Sequence, residues 1–381
     1  MSFSSVKPLF QPEQVLVEPD AFHYPCTHEI LKRLPNIPVV TIERPNQSTF
    51  LQLQYDPAKT LLLMVHRGKF FKPCPGTAES YRCCLYKILH LALGCSIGCR
   101  YCVLQGYLNN PFITQFVNLE DAFKELDEVI DGAPEGFFRI GTGEFTDSLF
   151  MDGLTGLSPK LVAYFAGKEN AVLELKTKSI AIDNLLQYDG LIGEAIVSWS
   201  LNARTVVDRE EGRAPSLDER LKAAARCRAR GYRIGLHFDP LIFFPGWEDE
   251  YAATVSMIFD FLKPDDIIWI SIGAFRFMPP MKEMIKESHP GSRIIYQEFI
   301  RGLDGKMRYF SAIRRKMYQH LLAEIRNYAP EVFVYFCMEH DSMWDDVFGY
   351  APKDNQQLSS WLDRCCYRFH ALTADSKREE E

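Results

Sequence analysis

The sequence predicts an α/β fold: a partial (β/α)6 TIM-type barrel with an N-terminal α+β extension and a C-terminal cap. Three observations carry this. From about residue 85 to about residue 290, apolar runs of strand length alternate with amphipathic helical patterns. Six such β-α units in succession argue for a parallel sheet. No dinucleotide-type glycine fingerprint follows the first strand, so curling into an incomplete barrel is as natural as an open doubly wound sheet.

The expected strands span residues 88–94, 137–141, 171–176, 195–201, 232–238 and 266–272. Helices are expected at 119–131, 158–168, 181–188, 217–230, 248–262 and 280–288, with Asn118 and Ser216 as N-caps. Residues 1–85 form the N-terminal region, rich in proline, with a short helix at 27–34 and a buried strand at 60–66. Residues 86–290 form the barrel, and residues 291–350 a cap with a basic helix (311–328), a strand (332–337) and a short helix (342–348). Residues 351–381 hold a further small helix around Trp361 and a charged tail, expected to be disordered.

An apolar fraction of 47% with 24% charged residues describes a globular chain with an ample core. No apolar run reaches membrane-span length, and the first residues lack a signal-peptide core, so a reducing, cytoplasmic setting is expected, with no membrane partner. Eleven cysteines in a chain this long are not a disulfide framework. The net charge of −7 argues against a general polyanion binder. Two runs are nevertheless basic: 204–233 carries nine basic and five acidic residues, and 295–327 seven and three. They read equally as a phosphate-facing patch or as solvated helix faces.

The polar residues converge on one place. In a parallel barrel the working groups sit at the C-terminal strand ends. After the first strand come Cys95, Cys99 and Cys102 in C-x3-C-x2-C spacing, with Tyr101 before the third. The second strand runs into Gly141-Thr142-Gly143-Glu144, the third into Lys178, and the fourth into Ser200-Leu201-Asn202-Ala203-Arg204. His237 and Asp239 end the fifth, and Arg276 lies beyond the sixth. Three thiolates on one tight loop suit an iron–sulfur cluster that keeps one iron open for a cofactor. A zinc knuckle would want a fourth ligand, and His90 is the only near one. Cys74, Cys83 and Cys84 lie upstream without a paired ligand spacing.

The cysteine motif on the loop after the first strand of a six-fold β-α domain resembles the radical S-adenosylmethionine (radical SAM) superfamily. The N-terminal run Lys7-Pro8-Leu9-Phe10-Gln11-Pro12, then Cys102-Val103-Leu104-Gln105, Lys178, Ser200-Leu201-Asn202, Arg220-Leu221 and Gly246-Trp247 are similar to the spore photoproduct lyase family. This resemblance implies a [4Fe–4S] cluster on Cys95, Cys99 and Cys102 with SAM on the open iron, fed by a flavodoxin- or ferredoxin-type electron donor. It implies hydrogen abstraction from a nucleic-acid or nucleoside-like substrate, with DNA photolesion repair as the family activity and a flipped lesion as its substrate. A radical SAM enzyme acting on a small metabolite or peptide, or a non-catalytic Fe–S scaffold, are the other readings.

Within that resemblance, Gly141, Gly143 and Glu144 match a motif that holds the methionyl amine of SAM. Lys178 and Arg204 are expected at its carboxylate, Ser200 and Asn202 at the ribose or carboxylate, and His237 and Asp239 near substrate or adenosine. The family's hydrogen-returning cysteine falls at Glu144 here, and its second tyrosine beside the cluster loop falls at Val103. Tyr101 and Cys337 are the remaining candidates for hydrogen donor.

Overall fold

The computed structural model describes residues 9–43, 54–76 and 80–378, with side chains described as far as residue 366. Lys7 and Pro8 of the resemblance, and the last three residues of the charged tail, lie outside the described residues. Strands follow in chain order as β1 (Gln14–Val17), β2 (Val39–Thr41), β3 (Thr60–Met64), β4 (Phe71–Pro73), β5 (Lys87–Leu89), β6 (Ala92–Leu93), β7 (Ile113–Phe116) and β8 (Phe138–Gly141). They continue as β9 (Ala171–Thr177), β10 (Ala195–Ser200), β11 (Arg233–Leu241), β12 (Ile267–Ala274), β13 (Arg276–Phe277), β14 (Phe299–Arg301), β15 (Met307–Tyr309) and β16 (Val334–Phe336).

The main sheet has the order β16-β12-β11-β10-β9-β8-β5-β4, parallel from β5 to β16 with β4 antiparallel at its edge. Every residue of β10 and β12 is buried, as expected of parallel strands covered on both faces. The sheet is curled, because its two ends share one interior. Burial and then the Glu174 carboxylate push up the phenol of Tyr86, just before β5, and burial together with the same Glu174 also raises Tyr335 in β16, at the other end of the sheet. A lone antiparallel bridge, Arg82 to Glu339, joins the flanks of β5 and β16. Glu339 is 1% exposed and also takes Arg314 at 2.9 Å and the Tyr318 hydroxyl at 2.8 Å. One buried carboxylate thus fastens the cap to the seam of the half-barrel.

The helices at 119–131 and 217–230 have the expected bounds, and Ser216 closes the second with a capping box to Glu219. Asn118 differs: its amide accepts from His66 N–H and donates to the His66 carbonyl and the Asp121 carboxylate, and caps no backbone N–H of its helix. The expected strand at 88–94 is in fact two. β5 belongs to the main sheet, the chain turns at His90 and Leu91, and β6 pairs antiparallel with β7 in a second sheet. That second sheet, β2-β1-β3-β7-β6, was not foreseen beyond β3. Its strands are short, and β7 (Ile-Thr-Gln-Phe) buries Thr114 and Gln115, whose side chains bond to nearby backbone carbonyls. The terminal helix is also longer than expected, running Asn355–Arg378. It lies across the N-terminal strand ends, where Asp363 pairs with Arg139 at 2.7 Å.

Much of the charge in the two basic runs is engaged within the protein. Arg213 bonds to the Ser96 carbonyl, Arg220 to Glu211, Arg228 to Asp266, Arg230 to the Tyr188 carbonyl and Arg233 to Glu194. In the second run Arg308 pairs with Asp304, Arg314 with Glu339, Arg315 with Asp346 and Lys316 with Glu248. No helix among the described residues is long and apolar enough to cross a membrane.

The end of β8 is crowded by design of the interior. A Cβ at Gly141 would lie 1.2 Å from the Tyr86 hydroxyl, and one at Gly143 would lie 2.9 Å from the Lys176 carbonyl. Gly141→Ala should therefore lose about 1–3 kcal/mol by overpacking. In a Tyr86→Ala background most of that loss should vanish, a non-additivity that urea denaturation of the single and double variants measures.

Candidate active site

The cysteine loop has no regular structure of its own between β6 and the short helix Leu104–Tyr107. Its turns use Gly94 and Gly98 at φ 82° and 74°, a region where a side chain is strained. Backbone bonds from three directions hold it. Gly94 N–H donates to the Phe145 carbonyl at 2.9 Å and the Thr146 hydroxyl to the Gly94 carbonyl at 2.8 Å, tying the loop to the segment after β8. The turn 210–213 clasps the other side: Arg100 N–H donates to the Glu210 carbonyl, Arg213 N–H to the Ile97 carbonyl, and the Arg213 guanidinium to the Ser96 carbonyl. Gly212 comes so close that a Cβ there would lie 2.4 Å from the Ile97 carbonyl. Finally, the Gln105 amide donates to the Cys99 and Arg100 carbonyls at 3.1 and 3.0 Å.

Beneath the loop lies a polar anchor that was not legible in the sequence. Glu211 and Arg220 form an ion pair with both side chains 0% exposed, and Arg220 also donates to the Ser200 and Pro215 carbonyls at 2.9 Å each. The Tyr101 phenol donates to Glu211. Burial and the Glu211 charge push that phenol's pKa up, while Arg220 and Lys178 hold Glu211 ionised against its burial. Lys178 Nζ lies 5.8 Å from the Tyr101 ring centroid. Tyr101 is therefore committed to anchoring the loop, which leaves its phenolic hydrogen engaged.

All three thiols are free. Burial pushes Cys99 up to about 12 and raises Cys95 and Cys102. Against this, Ile97 N–H donates to Cys95 sulfur and Leu104 N–H to Cys102 sulfur, and the Lys178 charge acts on Cys99 and Cys102. Such a loop accepts three thiolates only beside a strongly positive metal group. Among the described residues no three His, Cys, Asp or Glu side chains gather around a point for a single ion. A cluster instead takes one thiolate per iron, so its ligands need not converge, and this donor set fits it better than a zinc knuckle.

The neighbouring rim is assembled by Asp147. Its carboxylate accepts from the Thr177 hydroxyl and Lys178 N–H at 2.6 Å each, and from Leu149 and Phe150 N–H at 3.0 Å. This knits the loop after β8 to the end of β9 and sets Glu144 and Lys178 on one rim with the cysteines. Glu144 is half-buried, 4.0 Å from Lys176 Nζ.

Other expected rim residues fall elsewhere. β11 runs on to Leu241, so His237 is mid-strand: 5% exposed, its Nε2 donates to Glu174 at 2.9 Å inside the barrel. Asn202 is 1% exposed and spends its amide on the Pro240 carbonyl, the Tyr251 hydroxyl and Ala203 N–H. Ser200 closes β10 with its carbonyl on Arg220. Arg204 is exposed and faces a depression lined by Asp208, Leu217, Glu250 and Met257, on the helices rather than the rim. β11 extends three residues beyond its expected end, which puts His237 inside the barrel, whereas β10 ends one residue early and Asn202 and Arg204 fall in the turn and helix beyond it.

Fold and site together define a radical SAM enzyme: a curled parallel half-barrel carrying three cysteines, a carboxylate and a lysine at one rim. The profile of the spore photoproduct lyase family matches residues 10–337, and the chain belongs to that family. It is 28% identical to spore photoproduct lyase of Bacillus subtilis over 302 residues, covering 76% of this chain and 85% of the relative. With the Geobacillus enzyme it shares 27% over 300 residues, 76% of this chain and 86% of that one. A solved spore photoproduct lyase mutant with bound AdoMet and dinucleoside spore photoproduct superposes with a TM-score of 0.75 at 25% identity, over 87% of this chain and all of that one.

The interior pair yields a prediction about acid stability. Burial works to raise the Glu174 pKa, but His237 and the Ser198 hydroxyl hold it down at about 2. A depressed carboxylate stabilises the fold above its unfolded value near 4.3, and that contribution is lost as pH falls toward 2; the shift corresponds to roughly 3 kcal/mol. Urea midpoints should be flat above about pH 5 and fall steeply below about pH 4.5, a fall that Glu174→Gln reduces.

Proposed function

We propose that this chain repairs a dinucleoside photolesion of the spore photoproduct type, holding a [4Fe–4S] cluster on Cys95, Cys99 and Cys102 with SAM beside it. One observation supports this best. Nearly the whole fold superposes on a lyase bound to AdoMet and the dinucleoside spore photoproduct, and the cysteines, Glu144 and Lys178 share one rim. When bound, the two groups supply reductive cleavage of the sulfonium and, from it, hydrogen-atom abstraction from the lesion.

The chain's residues then have distinct tasks. Glu144 accepts from the methionyl ammonium in a charge-assisted bond, with Lys176 Nζ 4.0 Å away. Lys178 faces the SAM carboxylate. Gly141 and Gly143 let β8 end against Tyr86 and Lys176 without pushing Glu144 away from the rim. Because much of the charge in the basic runs is engaged internally, recognition rests on the lesion itself and on few phosphates. Lesion affinity should therefore fall only weakly with salt, with a slope of about one or two phosphates. The electron comes from a ferredoxin- or flavodoxin-type donor in a cytoplasmic setting.

Anaerobic, iron-reconstituted and dithionite-reduced protein, given SAM and the dinucleoside spore photoproduct, should form 5′-deoxyadenosine and release the thymine dinucleoside. Formation of 5′-deoxyadenosine with no consumption of the lesion would replace this reading with a radical SAM enzyme on another substrate. Glu144→Ala should weaken SAM binding by roughly tenfold or more while leaving cluster absorbance intact. Unchanged SAM affinity would remove Glu144 from that role.

A further inference from the structure

A carbon radical left on a repaired base must be quenched by a hydrogen atom, and a thiol is the side chain best suited to give one, its S–H bond being weaker than the O–H bond of an alcohol or acid. The loop after β8, residues 142–151, contains no cysteine. The cysteines outside the cluster loop that lie near the interior charges are Cys74, Cys84 and Cys337, all three with thiols that burial helps to keep protonated.

They are not equivalent. Cys337 directly follows the C-terminal end of β16, a parallel strand, so it stands at the working rim. Cys84 precedes β5, so it lies toward the opposite end, while Cys74 follows β4 at the edge of the sheet, where Glu144 and Lys176 act on it, and is the rival the variants below must separate from Cys337. Cys337 is half-buried and built into a specific environment. Arg276 Nη2 donates to its sulfur at 3.3 Å, and its S–H faces the Asp239 carboxylate. Asp239 is locked by Arg276 at 3.1 and 3.3 Å, and the pair fits only because residue 273 is glycine: a Cβ there would lie 2.8 Å from Asp239 Oδ1. Lys176 joins this group to the Glu144 side of the rim, since Glu144 and Asp239 both act to hold its ammonium charged against burial. Burial and then the Asp239 charge push the Cys337 thiol up, so it stays protonated, the only form that can give a hydrogen atom.

We propose that Cys337 is the hydrogen-atom donor that completes the reaction, with Asp239 and Arg276 as its positioning residues. The inference rests on the lesion-repair reading above. In the step, the S–H bond of Cys337 breaks and a C–H bond forms on the product radical, leaving a thiyl radical. One electron from the low-potential one-electron reductant and one proton from solvent restore the thiol.

The test is the lesion assay run in D2O with the full chain, where the exchanged thiol should deliver one deuterium to the product methyl group. Cys337→Ala and Cys337→Ser should each lower clean product by about tenfold or more, abolish the deuterium and yield side products, while 5′-deoxyadenosine still forms. The serine variant keeps the hydrogen bonds but has a strong O–H bond, so recovery of activity by serine would overturn the proposal as a merely structural effect. Cys74→Ala and Cys84→Ala should retain deuterium transfer; loss in either, with Cys337→Ala unaffected, would also overturn it. A wild-type protein that makes 5′-deoxyadenosine but leaves the lesion intact would overturn the repair reading itself, and the donor role with it.

Discussion

The site depends on one constraint: three thiols must be presented from eight consecutive residues that form no helix or strand. Side chains alone cannot do this, and the backbone does. The loop is bound on one side by Phe145 and Thr146 and on the other by the turn 210–213, each through main-chain partners. That turn is in turn fixed by the buried pair of Glu211 and Arg220, which reaches back to the end of β10 through the Ser200 carbonyl. A buried ion pair of this sort adds little net stability compared with apolar packing, yet breaking it by removing one partner costs about 3–5 kcal/mol. Its value lies in placement. It gives the cysteine loop a single register on the barrel rim, and Tyr101 extends that hold into the loop itself.

The same logic governs the barrel interior. A parallel half-barrel filled only with apolar side chains would be stable, yet it would offer nothing for a charged cofactor to meet. Here acids and bases alternate inward from the strand ends: Glu144 with Lys176, Asp239 with Arg276, Glu174 with His237. Each of these carboxylates has a basic or hydrogen-bonding partner, so the interior carries polarity without leaving these acids unpartnered. The seam between β5 and β16 is joined by the isolated Arg82–Glu339 backbone bridge rather than by a continuous ladder, and the Glu339 carboxylate fixes the cap helix beside it through Arg314.

How much of this was legible in the sequence follows from which forces are local. The parallel strands announced themselves as apolar runs, and the helices at 119–131 and 217–230 as periodic faces with caps. The second sheet did not, because β1, β2 and β7 are three or four residues long and β7 buries polar residues. The split of the first strand at His90 could not be read, since a bend within an apolar run leaves the pattern unchanged. At the rim, the cysteines, Glu144 and Lys178 were placed together correctly by strand ends. His237, Asn202 and Arg204 were not, because β11 extends to Leu241 and because Asn202 and Arg204 belong to the turn and helix beyond β10. The basic runs were ambiguous for a different reason: the acids that neutralise them, such as Asp266, Glu339 and Asp346, are distant in sequence.

The relation between the loop after β8 and the seam beside β16 follows from barrel geometry. Curling brings the two ends of the main sheet together, so a residue after β16 and a residue after β8 border one interior although nearly two hundred positions separate them. A group placed at either site can reach the space between them. Lys176 is the physical sign of this, since Glu144 on one side and Asp239 on the other act on the same ammonium. In the proposed reaction, a carboxylate in the loop and a thiol at the seam divide the cofactor contact and the hydrogen supply between two strand ends, and burial together with the Asp239 charge keeps that thiol in the protonated form the second task requires.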